Sequence, residues 1–140
     1  MHQRTSNAPK KNILLAVLNW GLGHAARCIP LIHELRATGH GVILASDGRA
    51  GILLQKEFPD LPYIELPAYD IRYGSSNMIL NIAWQWPKIV FTSLKEQRKI
   101  KQIISSFPVD IIISDSRFGC FHREVKSIFI SHQLWIRTPV

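Results

Sequence analysis

No apolar run in this sequence approaches the roughly 18 residues that a helix needs to span a bilayer. Cysteine is scarce: Cys28 and Cys120 lie too far apart for a metal-binding spacing. A disulfide-stapled extracellular protein is therefore not expected, and we predict two free thiols in a reducing cytoplasm. The start of the chain is polar and basic and precedes only a short apolar stretch. This pattern favours a flexible basic tail over residues 1–11 rather than a secretory signal.

Acidic residues are also few, ten against seventeen basic ones, which gives a formal net charge of +7. This surplus favours anionic partners such as nucleotides, acidic lipid surfaces or nucleic acid. The aromatic residues are not interleaved with the basic ones as a base-stacking surface requires, so nucleic acid is not the expected main partner. No residue pattern predicts a metal or a cofactor. The hydrophobic fraction of 46% and the length of 140 residues predict one globular domain with its own core.

Short apolar segments alternate with helical patterns along the rest of the chain. Strands are predicted at 12–18, 42–46, 63–66, 109–114 and 127–131. Pro87 is predicted to break the helical pattern from Met78 to Phe107 into two segments. Because the strands are apolar throughout, we expect an α/β Rossmann-like fold over residues 12–140, a parallel sheet with helices on both faces. The chain stops shortly after the last strand, where such a sheet normally continues, so a truncated domain is expected.

The tight turn after the first predicted strand contains Gly21 and Gly23, which tolerate positive φ and let a ligand approach the backbone. The turn lies between the carboxyl end of a strand and the start of a helix, where open α/β sheets bind ligands. Residues 21–26 match the G-x-G-x-x-A dinucleotide fingerprint, and Asp47 stands where a ribose-binding acid would. An NAD-dependent oxidoreductase is one hypothesis. A helix cap is the other role open to Asp47, and His24 and Arg27 are unusual beside a pyrophosphate.

A longer pattern is more specific: G-L-G-H-x-x-R-C-x-P-L at residues 21–31, followed by G-H-G-V at residues 39–42. It resembles the amino-terminal domain of GT-B glycosyltransferases, in the branch of the MurG-like (family 28-like) and monogalactosyldiacylglycerol-synthase-like enzymes. It is also similar to the nucleotide-sugar hydrolase of pseudaminic acid synthesis. The resemblance spans residues 12–132. It implies an acceptor-binding domain whose companion, a second domain that binds a nucleotide sugar such as a UDP-sugar, is absent, so the chain alone is expected to be inactive.

The resemblance implies roles for two residues in an inverting transfer of a sugar to a hydroxyl. His24 matches the histidine that commonly acts as the base in the first strand–helix turn, and the helix dipole favours its neutral form. Asp115 ends the fourth predicted strand and is the candidate that orients His24. The structural alternatives are a ring that only packs at the turn and an aspartate that caps a helix. A hydrolase with water as the acceptor and a non-catalytic binding module are the other functions left open.

Six residues are expected to contact substrate: Gly21, Gly23, Arg27, Tyr69, Arg72 and His132. The two glycines belong to the turn, and Arg27 could contact an acceptor or a phosphate. Tyr69 and Arg72 belong to residues 68–77, which are predicted to form an exposed loop; loops at this place shape the acceptor site in similar enzymes. His132 follows the last predicted strand and could line the acceptor cleft. A solvated connection and a satisfied turn histidine are the alternatives for these positions.

Trp84 and Trp86 precede a group of basic residues at Lys88, Lys95, Arg98, Lys99 and Lys101. A helical face of this kind could rest on an anionic membrane, which predicts peripheral contact at the inner face of the cytoplasmic membrane. The favoured interpretation instead packs the tryptophans between helix and sheet and leaves a solvated basic face.

Overall fold

The computed structural model describes residues 8–69 and 78–131. In these ranges five strands and three helices follow one another as β1 (Asn12–Val17), α1 (Gly23–Ala37), β2 (Gly41–Ser46), α2 (Gly48–Glu57), β3 (Tyr63–Glu65), α3 (Met78–Ser106), β4 (Ile111–Asp115) and β5 (Lys126–Ile130). The basic tail over residues 1–11 stays a prediction, because only residues 8–11 of it are described.

The five strands form one parallel sheet in the order β3-β2-β1-β4-β5. Alternate side chains of the central strand β1 enter two cores on opposite faces. Ile13, Leu15 and Val17 pack with residues of α1 and α2, whereas Leu14 and Ala16 pack with residues of α3. This arrangement confirms the predicted α/β Rossmann-like fold with helices on both faces.

The register of β4 against β1 decides where the polar end of β4 lies. Val17 pairs with Asp115, and the Leu18 amide donates to the Asp115 carbonyl at 3.2 Å. The predicted segment 109–114 is therefore shifted, because the strand begins at Ile111 and includes Asp115. Asp110 precedes the strand and its carboxylate accepts a hydrogen bond from the Asn12 amide at 2.8 Å.

The predicted break at Pro87 is wrong, since α3 runs as one helix from Met78 to Ser106 with Pro87 inside it. Proline fixes φ near the helical value and removes a single backbone donor, so a long helix can continue through it with a local distortion. Ile100 and Ile103 are buried against the sheet and hold the second half of the helix in place.

The expectation that every strand is covered on both faces is wrong for β5. This strand lies at the edge of the sheet, and its residues from Lys126 to Phe129 are exposed. Phe129 is 50% exposed although it belongs to an apolar segment. An apolar sequence favours a strand, but it does not say whether another element packs over that strand.

The favoured interpretation of the two tryptophans is also wrong. Trp84 is 83% exposed and Trp86 is 61% exposed, so neither is packed between α3 and the sheet. Both cysteines are free and buried, as predicted. Within residues 8–69 and 78–131, none of the helices combines the length and the apolarity that crossing a membrane requires.

Candidate active site

The turn from β1 into α1 uses its two glycines differently. Gly21 has a φ of +73°, a left-handed conformation that glycine adopts without strain. Gly23 is the first residue of α1 and lacks a positive φ, so the expectation of positive φ there is wrong. A methyl group at Gly23 would meet no atom within 4 Å. The fold therefore requires a glycine at residue 21 but does not exclude a side chain at residue 23.

His24 lies beside Asp115 across the carboxyl ends of β1 and β4. The distance from His24 Nδ1 to Asp115 Oδ1 is 3.3 Å. Both residues are buried, His24 at 9% exposure and Asp115 at 1%. A turn rather than a helix follows Asp115, so the helix-cap alternative for this residue is wrong. The structure brings together the two residues predicted as base and orienting carboxylate.

Arg27 lies one turn further along α1 and contacts both members of this pair. Its Nη2 donates to Asp115 Oδ1 at 2.6 Å and lies 3.0 Å from His24 Nδ1. The Arg27 side chain is 40% exposed, in contrast to the buried aspartate. In this structure the guanidinium is thus paired within the chain. Its contact with an acceptor or a phosphate stays a prediction.

Two further donors reach the Asp115 carboxylate, and neither was assigned to the site from sequence. Cys28 Sγ donates to Asp115 Oδ2, and Ser116 Oγ donates to Oδ1, each at 3.3 Å. Burial and the adjacent Asp115 raise the pKa of Cys28 to about 12, which keeps it a thiol that can donate. Ser116 has a φ of +62°, an uncommon conformation for a residue other than glycine. The position of Cys28 in the 21–31 pattern was a signal for this contact, whereas Ser116 carried none.

Two cavities open at this edge of the sheet, and Leu18 and Trp20 line both of them. The smaller has a volume of about 270 Å³ and is lined also by His24, Ser116, Phe118, Phe129 and Ser131. The larger has a volume of about 500 Å³ and is lined also by Asn19, Asp47, Gly48, Glu65, Ala68 and Tyr69. His24 therefore faces a cavity with aromatic walls, and the two acidic residues line the other cavity.

Comparison with known proteins finds glycosyltransferases, although no protein-family model matches the chain. An uncharacterized glycosyltransferase of Methanosarcina mazei is 30% identical over 133 residues, which cover 86% of the chain and 33% of that protein. The solved structure of the calicheamicin glycosyltransferase CalG4 matches with a TM-score of 0.58 and 14% identity, over 77% of the chain and 27% of CalG4. The C-terminal domain of the PF1911 hydrogenase from Pyrococcus furiosus matches with a TM-score of 0.54 and 12% identity, over 89% of the chain and 97% of that domain.

The likeness in sequence to a glycosyltransferase coincides with the likeness in fold to CalG4. The chain contains a GT-B glycosyltransferase-like domain. It spans about a third of the length of the curated relative it matches. The hydrogenase domain shares the fold alone, which is expected because one α/β fold hosts many functions.

The interior of the glycosyltransferase-like domain holds an ionic network that was not predicted. Arg117 is 1% exposed and forms ion pairs with Asp47 and Glu96. Its Nε donates to the Val17 carbonyl at 2.8 Å, and its Nη1 donates to the Pro67 carbonyl at 3.2 Å. One guanidinium thus joins the ends of β1 and β2, the chain after β3, and helix α3.

Asp47 belongs to this network rather than to a helix cap. It is the N-cap residue of α2, but its side chain makes no cap hydrogen bond, so the side-chain cap is wrong. Its carboxylate oxygens accept hydrogen bonds from Arg117 and, at 3.3 Å, from Asn19. Burial raises the pKa of Asp47, while Arg117 and Asn19 oppose that shift. A ribose hydroxyl at this carboxylate would have to share it with both donors.

The remaining predicted substrate residues fall in or near the loop after β3 and at the end of the chain. Tyr69 is buried, not exposed as predicted, because its hydroxyl donates to Glu96 Oε2 at 2.5 Å and its ring lines the larger cavity. Its contact with substrate stays a prediction. Arg72 and His132 lie outside the described residues. Within the described ranges, no group of three or more His, Cys, Asp or Glu residues could hold a metal ion.

Proposed function

We propose that this domain binds a hydroxyl acceptor and deprotonates it during an inverting transfer of a sugar from a nucleotide-sugar donor. The observation that carries the proposal is the buried contact of His24 with Asp115, 3.3 Å apart at the ends of two adjacent strands. A histidine oriented by a carboxylate is a common general-base unit, because the carboxylate stabilises the imidazolium that forms. The donor, a UDP-sugar or another nucleotide sugar, is proposed to bind a second domain.

In the proposed step His24 accepts the proton of the acceptor hydroxyl while the hydroxyl oxygen attacks the anomeric carbon. A glycosidic C–O bond forms between these two atoms. The bond from the anomeric carbon to the diphosphate oxygen breaks, and the nucleoside diphosphate leaves with the electron pair. Because the oxygen attacks from the face opposite the leaving group, the configuration at the anomeric carbon inverts.

The cavity beside His24 is the proposed place of the acceptor hydroxyl. Its aromatic wall includes Phe118 and Phe129, which stack with their ring centroids 5.7 Å apart. Such a wall suits an acceptor whose hydroxyl is attached to an apolar or ring-shaped carbon framework. Gly21 and Gly23 are proposed to let the substrates approach the backbone of the turn, and Arg27 is proposed to meet a phosphate.

The experiment that tests this function measures sugar transfer by the chain together with whatever follows Val140 in its natural reading frame. UDP-, GDP- and TDP-sugars are offered with a panel of lipid, aromatic and sugar alcohols, and products are identified by mass spectrometry. We expect a glycoside and a nucleoside diphosphate in equal amounts, with inverted anomeric configuration by proton NMR. The 140-residue chain alone is expected to give no transfer.

The same assay separates the alternative functions. Release of free sugar and nucleotide without a glycoside, in the presence of every acceptor, would favour a hydrolase. An enhancement of NADH fluorescence that Asp47→Ala abolishes would favour a dinucleotide-binding domain. If neither turnover nor nucleotide binding is found, the chain is a non-catalytic module and the proposal is wrong.

We also propose that the exposed face of α3 touches an anionic membrane, as the acceptors of similar enzymes are often lipids. Trp84, Trp86 and Phe91 are exposed on this helix, and the ammonium group of Lys95 lies 4.7 Å from the centroid of the Phe91 ring. Aromatic rings with adjacent cations are typical of interfacial helices. This face can therefore meet both the headgroups and the acyl boundary of a bilayer.

Cosedimentation with vesicles measures that contact. The chain is expected to sediment with phosphatidylglycerol vesicles but not with phosphatidylcholine vesicles. The double substitution Trp84→Ser and Trp86→Ser should abolish sedimentation, whereas Ile52→Ser, at an exposed residue of α2, should not. Equal sedimentation of the parent chain and the double variant would contradict the proposed surface.

A further inference from the structure

The Nδ1 atom of His24 has two partners that require opposite states of the ring. Asp115 Oδ1 lies 3.3 Å away, and Arg27 Nη2 lies 3.0 Å away. An ionised carboxylate only accepts hydrogen bonds and a guanidinium only donates them. The contact with Asp115 therefore needs a proton on Nδ1, and the contact with Arg27 needs a lone pair there. In a neutral imidazole only one of these hydrogen bonds exists at a time.

Only one of the two tautomers can act as the base proposed above. With the proton on Nδ1, the lone pair is on Nε2 and can accept the proton of a hydroxyl in the cavity. With the lone pair on Nδ1, the proton is on Nε2 and this atom is a donor. Arg27 lies closer to Asp115 Oδ1, at 2.6 Å, than His24 does. The distances therefore favour the arrangement in which Arg27 donates to both partners and His24 is not basic at Nε2.

We propose that Arg27 is a positioning residue that holds His24 in the non-basic tautomer until a diphosphate draws the guanidinium away. This inference rests on the proposed function, in which His24 is the base. Once Arg27 turns to the diphosphate, Asp115 Oδ1 accepts the proton of Nδ1, and Nε2 becomes the acceptor. The base is thus formed only when an anionic substrate is present.

The burial of the three side chains is compatible with this movement. Arg27 is 40% exposed and can turn toward solvent, whereas His24 and Asp115 are buried. Asp115 would not be left alone in the interior, because Cys28 and Ser116 donate to its carboxylate independently of Arg27. The two oxygens of a diphosphate also match the forked guanidinium better than a shared carboxylate oxygen does.

The tautomer of His24 can be measured without any turnover. The chain is labelled with ¹⁵N-histidine, and long-range ¹H–¹⁵N spectra at pH 8 distinguish a protonated ring nitrogen from a bare one. His24→Gln identifies the His24 signals among those of the six histidines. We expect Nε2–H in the free chain and Nδ1–H in Arg27→Met. Arg36→Met, at an exposed ion pair with Asp60 on the same helix, should leave the His24 signals unchanged.

Inorganic pyrophosphate is the anionic probe, and it tests the unaltered chain. It is expected to convert the free chain from Nε2–H to Nδ1–H and to change nothing in Arg27→Met. An Nδ1–H tautomer in the free chain, or an Nε2–H tautomer that persists at the solubility limit of pyrophosphate, would overturn the inference. Neither result depends on sugar transfer. A failed switch therefore leaves the general-base proposal standing, and a failed transfer assay leaves the tautomer result standing.

Discussion

His24→Gln should lower the rate of sugar transfer by roughly 10²–10⁴-fold, the range that a positioned general base typically contributes. Glutamine can still donate a hydrogen bond to Asp115, but its amide cannot accept the proton of the attacking hydroxyl. The loss should appear in kcat, because the acceptor cavity of about 270 Å³ keeps its aromatic walls. The measurement is the initial rate of glycoside formation at saturating donor and acceptor, in the assay described above.

His33→Gln is the matched control for this prediction. His33 is an exposed histidine of the same helix, and its ring contacts Phe58 at a centroid distance of 5.0 Å on the side away from the proposed site. Its substitution should leave kcat unchanged. Asp115→Asn should lower kcat by a smaller factor than His24→Gln, because the imidazole is still present but is held less well. A His24→Gln enzyme with normal kcat would show that the ring only packs at the turn.

Arg117→Met should destabilise the fold by about 3–5 kcal/mol, the usual cost of leaving buried charges without their partner. Arg117 has no exposed side-chain surface, and it is paired with Asp47 and with Glu96, which is fully buried. Glu96 also accepts hydrogen bonds from the Tyr69 hydroxyl at 2.5 Å and from the Gly119 amide at 3.0 Å. These neutral donors cannot balance a carboxylate charge. Urea unfolding followed by tryptophan fluorescence measures the change.

Two companion variants test the electrostatic origin of this loss. Arg36→Met removes an arginine whose pair with Asp60 is exposed, and it should cost at most about 1 kcal/mol. Glu96→Gln in the Arg117→Met background removes one of the two unpaired charges and should restore part of the stability. If Arg117→Met costs no more than Arg36→Met, the network does not hold the strand ends together.

The sequence allowed the sheet to be predicted because its strands are short apolar segments bounded by turns. Periodicity also located the long helix α3, but Pro87 suggested a break that the helix does not have. The reason is that buried contacts of Ile100 and Ile103, far along the chain, stabilise the helix more than one proline destabilises it. The exposure of β5 could not be predicted, because it depends on what packs against the strand.

The candidate site was partly predictable for the same kind of reason. His24 follows a glycine turn and Asp115 ends a strand, and both features are local in sequence. Arg117 and Glu96 are 21 residues apart, and each looks like an ordinary surface charge in the sequence. One signal for Glu96 was present: it lies four residues from Thr92 and from Ile100, on the buried stripe of α3.

The pairing of Val17 with Asp115 separates chemistry from specificity in this domain. Because side chains alternate along a strand, a slip of β4 by one residue would turn the carboxylate to the face that α3 covers. The spacing of His24 and Asp115 is therefore fixed by backbone hydrogen bonds in the centre of the sheet, not by the loops around it. Insertions and substitutions in those loops can reshape the cavities while the acid–base pair keeps its geometry. Related chains can thus acquire different acceptors without rebuilding the pair.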